Sequence, residues 1–156
     1  MQFLRSLPLS GLLLVTLGAV VPASAQVRPI VMPDYYVGAG ARFGFNDDAA
    51  FVVDSKAKLA DLGDFTLSTR PAVMFGNDVE LRLPISVEAP VHDGIFPYGG
   101  AGVAYNAGGN SRFDPLITGG VDVSLGENIV LDVGVNVIFK PNNTDTEFAT
   151  TLNYRF

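Results

Sequence analysis

The sequence ends in the stretch Glu147-Phe148-Ala149-Thr150-Thr151-Leu152-Asn153-Tyr154-Arg155-Phe156. Its apolar and aromatic side chains alternate with polar or small ones, so one face carries Phe148, Thr150, Leu152, Tyr154 and Phe156. A period of two is typical of a β-strand that has one apolar face. Because chain ends usually fray into water, a terminal aromatic residue on such a strand indicates an apolar environment. The stretch therefore predicts a strand whose apolar face contacts something other than water.

The other end of the sequence predicts an export signal. Residues 1–5 supply one positive charge at Arg5, residues 6–21 form a mainly apolar run, and Ala23 and Ala25 flank a serine in a small-residue cleavage site. This order is typical of a secretory signal peptide. The alternative, a membrane-spanning helix, is disfavoured because the run falls short of the ~20 apolar residues that a span requires. We therefore expect residues 1–25 to be a cleaved signal peptide and residues 26–156 to form one mature domain.

Composition narrows the class of the mature chain. The sequence is 48% hydrophobic, has a formal net charge of -6 and contains no cysteine. Loss of Arg5 would make the mature chain more negative, and no basic patch is visible, so nucleic acid is not an expected partner. No disulfide can hold the fold. Because no apolar run after residue 21 is long enough for a membrane helix, any membrane crossing must use strands.

Eight segments of roughly strand length follow a proline-containing lead-in. We predict strands at residues 35–45, 50–59, 65–75, 79–89, 95–105, 113–125, 129–139 and 147–156. Each is close to the ~9–11 residues that a tilted membrane strand needs. Pro71 and Pro84 count against two of them, because proline removes a ladder hydrogen bond. Folding that hairpin about Asn77 brings both prolines near the same rung, so we expect one local irregularity there.

Three features indicate that the apolar faces point outward into lipid. Charged residues fall on the opposite faces, small residues recur there as a narrow lumen requires, and aromatic residues lie toward the two ends of the strands around an aliphatic middle. They predict an all-β fold: an eight-stranded antiparallel up-and-down transmembrane β-barrel, closed by pairing of the first and last strands. Both termini would lie on the periplasmic side. The alternative is a soluble, lipocalin-like barrel with its apolar faces inside.

With these features the chain resembles the small eight-stranded outer-membrane barrels of the OmpA-like transmembrane domain and opacity-protein type. The resemblance covers residues 35–156 and rests on the signal peptide, the strand number, the segment Pro97-Tyr98-Gly99-Gly100-Ala101-Gly102-Val103-Ala104-Tyr105 and the final Tyr154-Arg155-Phe156. The outward loops are shorter than in the better-known members, and no peptidoglycan-binding domain follows Phe156. Adhesion through long loops and tethering to the cell wall are therefore not expected.

The resemblance implies a location and partners. Residues 26–156 would be an outer-membrane β-barrel domain, a monomer in contact with outer-membrane lipid. Its last strand would act as a C-terminal assembly signal, read by the barrel-assembly machinery. The residues of that signal are Phe148, Leu152, Tyr154 and Phe156.

The charges predicted to face the lumen are the main candidate site. They are Arg42, Asp54, Lys56, Lys58, Arg70, Glu80, Arg82, Glu88, Asp122, Asp132 and Arg155. Paired charges that fill the barrel are favoured over an ion path, because buried charges need partners. We therefore expect a structural, non-enzymatic outer-membrane protein. The alternatives are a narrow passive pore for ions or small solutes and a surface adhesin that binds through its outer loops.

Other candidate residues have simpler interpretations. His92 falls in a predicted turn with no serine beside it, so a catalytic role is disfavoured. Asp47, Asp48 and Asp78 could bind Ca²⁺ weakly but are favoured as turn formers. The sequon Asn142-Asn143-Thr144 is interpreted as a turn in a bacterial chain. We expect no catalytic residue, no metal and no cofactor.

Overall fold

The computed structural model describes residues 31–45, 48–108 and 111–156. The predicted signal peptide, including Ala23 and Ala25, lies outside the described residues. The strands are β1 (Tyr35–Gly44), β2 (Ala50–Leu62), β3 (Phe65–Thr69), β4 (Ala72–Phe75), β5 (Val79–Glu88), β6 (Ile95–Asn106), β7 (Arg112–Ser124), β8 (Ile129–Lys140) and β9 (Asn143–Arg155). Among the described residues, no helix is long and apolar enough to cross a membrane.

These strands form one closed antiparallel sheet. Strand β1 pairs with β2 on one side and with β9 on the other, so the first and last strands meet. In this seam Tyr36 lies opposite Arg155, and Phe43 lies opposite Phe148. Closure leaves no strand edge with unpaired backbone groups. The predicted fold class, an antiparallel β-barrel closed by its first and last strands, is confirmed.

The third predicted strand is interrupted between β3 and β4, at Arg70 and Pro71. Both halves pair with β2 and with β5, so together they occupy one place in the barrel wall. The Arg70 N–H donates to the Pro84 carbonyl oxygen at 3.0 Å, but Pro84 has no N–H to return the bond. The two prolines thus share one local irregularity, as predicted, and this raises the number of strands to nine.

A second irregularity, in β2, was not visible in the polarity pattern. The register between β2 and β3 shifts between Lys58 and Ala60, which is a β-bulge, and β2 continues to Leu62 rather than stopping at Leu59. Gly63 then turns the chain with a φ of 74°, a backbone conformation that favours glycine. The bulge therefore lengthens this hairpin beyond its predicted boundary.

The outer face of the barrel wall is apolar and the inner face carries the charged residues, as the alternation predicts. On β5, Leu83 is 55% exposed on the outside, whereas its neighbour Arg82 is 4% exposed on the inside. Large apolar side chains cover the outer surface of the other strands in the same way, and charged residues such as Glu88 and Asp122 are buried inside. A soluble barrel needs the opposite arrangement, so the lipocalin-like alternative is wrong.

Aromatic side chains gather at the two ends of the barrel. At the end where β1 begins and β9 ends, the rings of Tyr35 and Phe156 stack with their centroids 6.5 Å apart. At the other end three ring pairs lie on the outer surface, with centroid distances of 4.8 to 6.3 Å. They are Phe45 with Phe148, Phe51 with Phe75, and Tyr105 with Phe113. The two predicted aromatic belts are therefore present, with aliphatic residues between them.

Gly100 is a position where β6 approaches β5 too closely for any side chain. A Cβ atom there would lie 2.2 Å from the Ile85 carbonyl oxygen and 2.8 Å from Ser86 Cα, whereas a Cβ atom on Gly99 would meet nothing within 4 Å. Glycines at such points let a sheet bend tightly enough to close into a barrel. The close approach of β6 to β5 at Gly100 is therefore part of how the wall curves.

We predict that Gly100→Ala destabilises the barrel by about 1–3 kcal/mol, because backbone atoms of β5 must move to admit the methyl group. The matched control Gly99→Ala should change the free energy of unfolding by less than about 1 kcal/mol. Urea unfolding of the purified barrel in detergent micelles measures both variants. Equal effects of the two substitutions would contradict this account of the wall.

Candidate functional site

The charged lumen is the candidate site, and its buried polar residues form two clusters. The inner cluster, nearer the start of β1 and the end of β9, comprises Tyr36, Asp54, Lys56, Arg70, Glu88, Tyr98, Asp122 and Asp132. The outer cluster, nearer the opposite end, comprises Arg42, Glu80, Arg82, Asn136 and Glu147. Because successive residues of a strand alternate between faces, the residues of both clusters come from the positions that face the lumen.

Arg70 is the centre of the inner cluster. Its Nη2 donates to Asp122 Oδ2 at 2.7 Å, its Nη1 donates to Tyr36 Oη at 2.6 Å, and its Nη2 lies 3.3 Å from Glu88 Oε2. Lys56 forms a second ion pair with Glu88. Buried charges are stable only when their partners satisfy them, and hydrogen bonds to ionised groups are the stronger ones.

The Arg70 guanidinium group packs on the ring of Tyr98. The Arg70 guanidinium carbon lies 3.6 Å from the centroid of the Tyr98 ring, and Tyr98 Oη donates to Asp132 Oδ1 at 2.8 Å. A Cβ atom on either Gly120 or Gly134 would come within 2.6 Å of that hydroxyl oxygen. The two glycines on the lumen face therefore make room for the tyrosine, which is the use of small residues that the sequence indicated.

The outer cluster is organised around Glu147. Arg82 pairs with Glu147, and Arg42 Nη1 donates to Glu147 Oε2 at 2.9 Å. Arg82 Nε also donates to Glu80 Oε1 at 2.5 Å. The Asn136 amide donates to Glu147 Oε1 at 3.2 Å. A single carboxylate thus joins arginines from β1 and β5, which lie on different sides of the lumen.

Two of the predicted lumen charges are not brought into either cluster. Lys58 pairs with Asp61 at 2.8 Å and with Asp34 at 3.4 Å, at the end of the barrel near the termini. Arg155 donates to the Val31 carbonyl oxygen at 2.8 Å and is half-buried there. Both side chains lie near one end of the barrel, and alternation predicts the face of a residue but says nothing of its depth.

Glu147 is the principal residue that the predicted set left out. It is 1% exposed and accepts bonds from three other side chains. The signal was available, because the alternation that puts Phe148 outside puts Glu147 inside. The predicted set also lacks the tyrosines of the inner cluster, because it contains charged residues only.

Two further ion pairs lie toward the outer end of the barrel. They join Arg112 to Asp114 at 2.8 Å and Lys140 to Asp145.

Apolar side chains are also buried in the lumen. Ala104, Leu116 and Ile138 pack together toward the outer end, and each is at most 2% exposed. Phe96 and Val130 are buried toward the end where β1 begins and β9 ends. Between the two clusters lies a cavity of about 50 Å³, lined by residues that include Asp54, Arg70 and Arg82. Such a space holds a few water molecules at most.

The remaining candidate residues that the structure describes belong to neither cluster. His92 is in the connection between β5 and β6, where its carbonyl oxygen accepts from the Ile95 N–H at 3.0 Å. Asp47 falls outside the described residues. Within the described part of the chain, no three His, Cys, Asp or Glu side chains are grouped to hold a metal ion. Asn143 and Thr144 begin β9.

Similarity to solved structures, rather than to known sequences, identifies this fold. No protein family model matches the chain, and no curated protein matches it either. Among solved structures, a de novo designed transmembrane β-barrel matches with a TM-score of 0.62 and 16% identity, over 81% of this chain and 98% of the design. The chain has the fold of a small transmembrane β-barrel.

Two natural proteins share this barrel fold. The Yersinia pestis outer membrane protein Ail matches with a TM-score of 0.58 and 10% identity, over 80% of this chain and 100% of Ail. The N-terminal β-barrel domain of Pseudomonas aeruginosa OprF matches with a TM-score of 0.55 and 13% identity, over 78% of this chain and 96% of that domain. The suspected resemblance to small outer-membrane barrels is therefore confirmed for the fold.

We predict that Arg70→Met destabilises the barrel by about 3–5 kcal/mol, because it leaves Asp122 and Glu88 buried with one cation fewer. The control Lys58→Met removes the exposed pair with Asp61 near one end of the barrel and should have little effect on stability. Guanidinium unfolding followed by circular dichroism measures both. A similar small loss in each variant would show that the inner cluster adds little to stability.

Proposed function

We propose that this chain is an integral outer-membrane β-barrel protein with a structural, non-enzymatic role, and that its lumen is sealed. The observation that carries the proposal is the inside-out polarity of the barrel, in which ion pairs fill the interior and aliphatic side chains cover the outside. Such an apolar outer surface is stable in the hydrocarbon of a lipid bilayer. The shared fold with Ail and the OprF domain supports an outer membrane as the location.

The outer surface supports insertion as a monomer. Leu81, Leu83, Ile85 and Val87 run along β5 with 41% to 55% of their area exposed. The exposed apolar surface continues around the other strands, and soluble monomers rarely expose contiguous apolar patches beyond a few hundred Å². In a bilayer the same side chains contact lipid tails, so no second copy of the chain is needed to cover them.

The filled lumen supports a structural role over transport or catalysis. A solute that crossed the barrel would have to separate Arg82 from Glu147 and Arg70 from Asp122, and would also pass the apolar contacts around Leu116. The same burial keeps substrates away from the charged groups, whereas catalytic sites are open concave pockets. The connections at the outer end are short, because only Pro141 and Asn142 separate β8 from β9, which disfavours a surface adhesin.

Membrane fractionation tests the location. The full chain expressed in a Gram-negative host should be recovered with the outer membrane, and it should migrate differently on a denaturing gel before and after boiling. A folded barrel resists the detergent until it is heated, so the two forms differ in mobility. Recovery in the soluble periplasmic fraction, with no shift on boiling, would refute the proposal.

Planar bilayer recordings test the sealed lumen. We expect no discrete channel events from a preparation that shows complete heat-modifiability, because the two clusters and the apolar contacts leave no continuous path. A porin reconstituted under the same conditions supplies the positive control. Step-like currents that scale with the amount of folded protein would favour the passive pore instead.

The last strand suggests a further partner, the barrel-assembly machinery. Phe156 is 77% exposed, and its ring stacks on Tyr35 of the first strand, so it lies at the seam. We propose that Phe148, Leu152, Tyr154 and Phe156 form the surface that the machinery reads. An exposed ring contributes little to the packing of the isolated barrel, which separates assembly from stability.

We therefore predict that Phe156→Ala lowers the amount of barrel assembled in cells several-fold, while the refolded protein loses less than about 1 kcal/mol of stability. The control Phe113→Ala removes an exposed ring at the other end of the barrel and should leave assembly unchanged. Outer-membrane yield and urea unfolding measure the two effects. Normal assembly of the Phe156→Ala variant would refute the proposed signal.

A further inference from the structure

The break between β3 and β4 leaves the barrel wall with an incomplete hydrogen-bond ladder. In a regular antiparallel pair, facing residues of a hydrogen-bonded pair exchange two backbone bonds. Arg70 and Pro84 keep one of them, from the Arg70 N–H to the Pro84 carbonyl oxygen at 3.0 Å. Ser55 and Pro71 also keep one, from the Ser55 N–H to the Pro71 carbonyl oxygen at 2.9 Å. Because proline has no N–H, the carbonyl oxygens of Arg70 and Ser55 lose their ladder donors.

Nearby hydroxyl groups do not replace the two missing bonds. Thr69 Oγ1 donates to the Pro84 carbonyl oxygen at 3.2 Å, and Ser55 Oγ donates to the Pro71 carbonyl oxygen at 3.4 Å. Both of these carbonyl groups already accept a backbone N–H. An unpaired backbone carbonyl group costs free energy, and it costs more in hydrocarbon than in water. Residues 69–72 are therefore joined to their neighbours less firmly than a regular stretch of strand.

Two hollows lie on opposite sides of this stretch. On the outer surface a notch of about 260 Å³ is lined by residues that include Pro71 and Leu81. In the lumen lies the cavity of about 50 Å³ between the two clusters. Asp54, Ala72 and Arg82 line both hollows. These three residues face each other on β2, β4 and β5, so the wall between the hollows is centred on the small side chain of Ala72.

The side chain of Arg70 supplies the anchoring that the backbone lacks. Its Nη2 donates to Asp122 Oδ2 at 2.7 Å, and its Nε donates to Ser86 Oγ at 3.0 Å. Its Nη1 donates to Tyr36 Oη at 2.6 Å. These partners belong to β7, β5 and β1, and bonds from a guanidinium group are strong and directional. The stretch is therefore held from the lumen side more than by its own ladder.

We propose that residues 69–72 form a lateral gate, which opens locally and then joins the notch on the outer surface to the cavity in the lumen. The missing bonds at Pro71 and Pro84 let this stretch move while the flanking strands stay paired, and Arg70 holds it closed. Folded proteins open weakly bonded segments at a much lower cost in free energy than global unfolding.

The two hollows limit what the gate admits. The cavity holds a few water molecules at most, so a lipid does not fit. The notch is lined mainly by apolar side chains, which disfavours the passage of ions. The gate therefore admits water and small neutral molecules. It leads sideways into the cavity rather than along the barrel axis, so it goes beyond the proposed structural role, and bilayer recordings do not decide it.

The first experiment measures amide hydrogen exchange of the unaltered barrel in detergent micelles by NMR. We expect the N–H groups of Arg70 and Ser55 to exchange at least about tenfold faster than that of Val133, because opening of the gate exposes them without global unfolding. Val133 lies within β8 and is paired on both sides. Equally slow exchange at all three residues would overturn the proposal.

The second experiment uses a single thiol to detect entry into the cavity, since the sequence contains no cysteine. Thr118 is 7% exposed, lines the cavity and does not line the notch, so Thr118→Cys is a suitable reporter. The reagent is methyl methanethiosulfonate, a small neutral compound. We expect slow but complete labelling of the folded barrel, whose folding is checked by the gel shift on boiling. A thiol that reacts only after unfolding would overturn the proposal.

Two proline substitutions identify the route of entry. Pro71→Val restores an N–H group for the Ser55 carbonyl oxygen, so it should slow the labelling of Thr118→Cys several-fold. The matched control is Pro97→Val in β6, where the Pro97 carbonyl oxygen likewise accepts from the Ala89 N–H at 3.2 Å. This control should leave the labelling rate unchanged. Equal rates with Pro71 and with Pro71→Val would show that the reagent enters through the ends of the lumen, and this would overturn the gate.

Arg70→Lys tests what holds the gate closed. It keeps the positive charge but donates fewer bonds, so labelling of Thr118→Cys should become several-fold faster. Amide exchange at Val133 should stay as in the unaltered chain, which separates local opening from a general loss of stability. Faster exchange at Val133 by the same factor, or an unchanged labelling rate, would overturn the role given to Arg70.

Discussion

The whole structure depends on the pairing of β1 with β9. In hydrocarbon a backbone N–H or C=O group without a partner costs several kcal/mol, so a sheet in a membrane must not have an edge. The seam from Tyr36 opposite Arg155 to Gly44 opposite Glu147 removes both edges at once. Where the wall cannot complete its ladder, at Pro71 and Pro84, the flanking strands keep their register, so the defect stays local.

Closure in turn creates a narrow lumen, and the lumen accounts for most of the inward residues. A large side chain fits only where the opposite wall is small, as Tyr98 fits over Gly120 and Gly134. A charge is tolerated only where a partner reaches it, as Arg70 is reached by Asp122 from β7 across the lumen and by Glu88 from the neighbouring β5. The interior is thus filled by paired charges and apolar seals, which supports a sealed barrel over a pore.

The polarity pattern was sufficient to predict the closed barrel, its faces and its aromatic belts, because alternation follows directly from strand geometry. It was also sufficient to place the shared irregularity of Pro71 and Pro84. The pattern was not sufficient to predict the bulge after Lys58, because an extra residue in a strand changes which residues pair across the strands more than it changes the alternation of polarity. Nor did it separate Lys58 and Arg155, which lie at the rim, from Arg70 and Arg82, which lie deep in the lumen.

The sequence by itself therefore determined which residues face the lumen and which face outward, because a period of two is a local property of the backbone. In the final stretch Glu147 faces the lumen and its neighbour Phe148 faces outward, as the alternation requires. Only the tertiary structure decided which lumen charges meet, since Arg42, Arg82 and Glu147 come from three strands distant in the chain. It also decided that Asp54 and Asp132 line the same cavity, because depth and strand stagger are set by closure of the whole barrel.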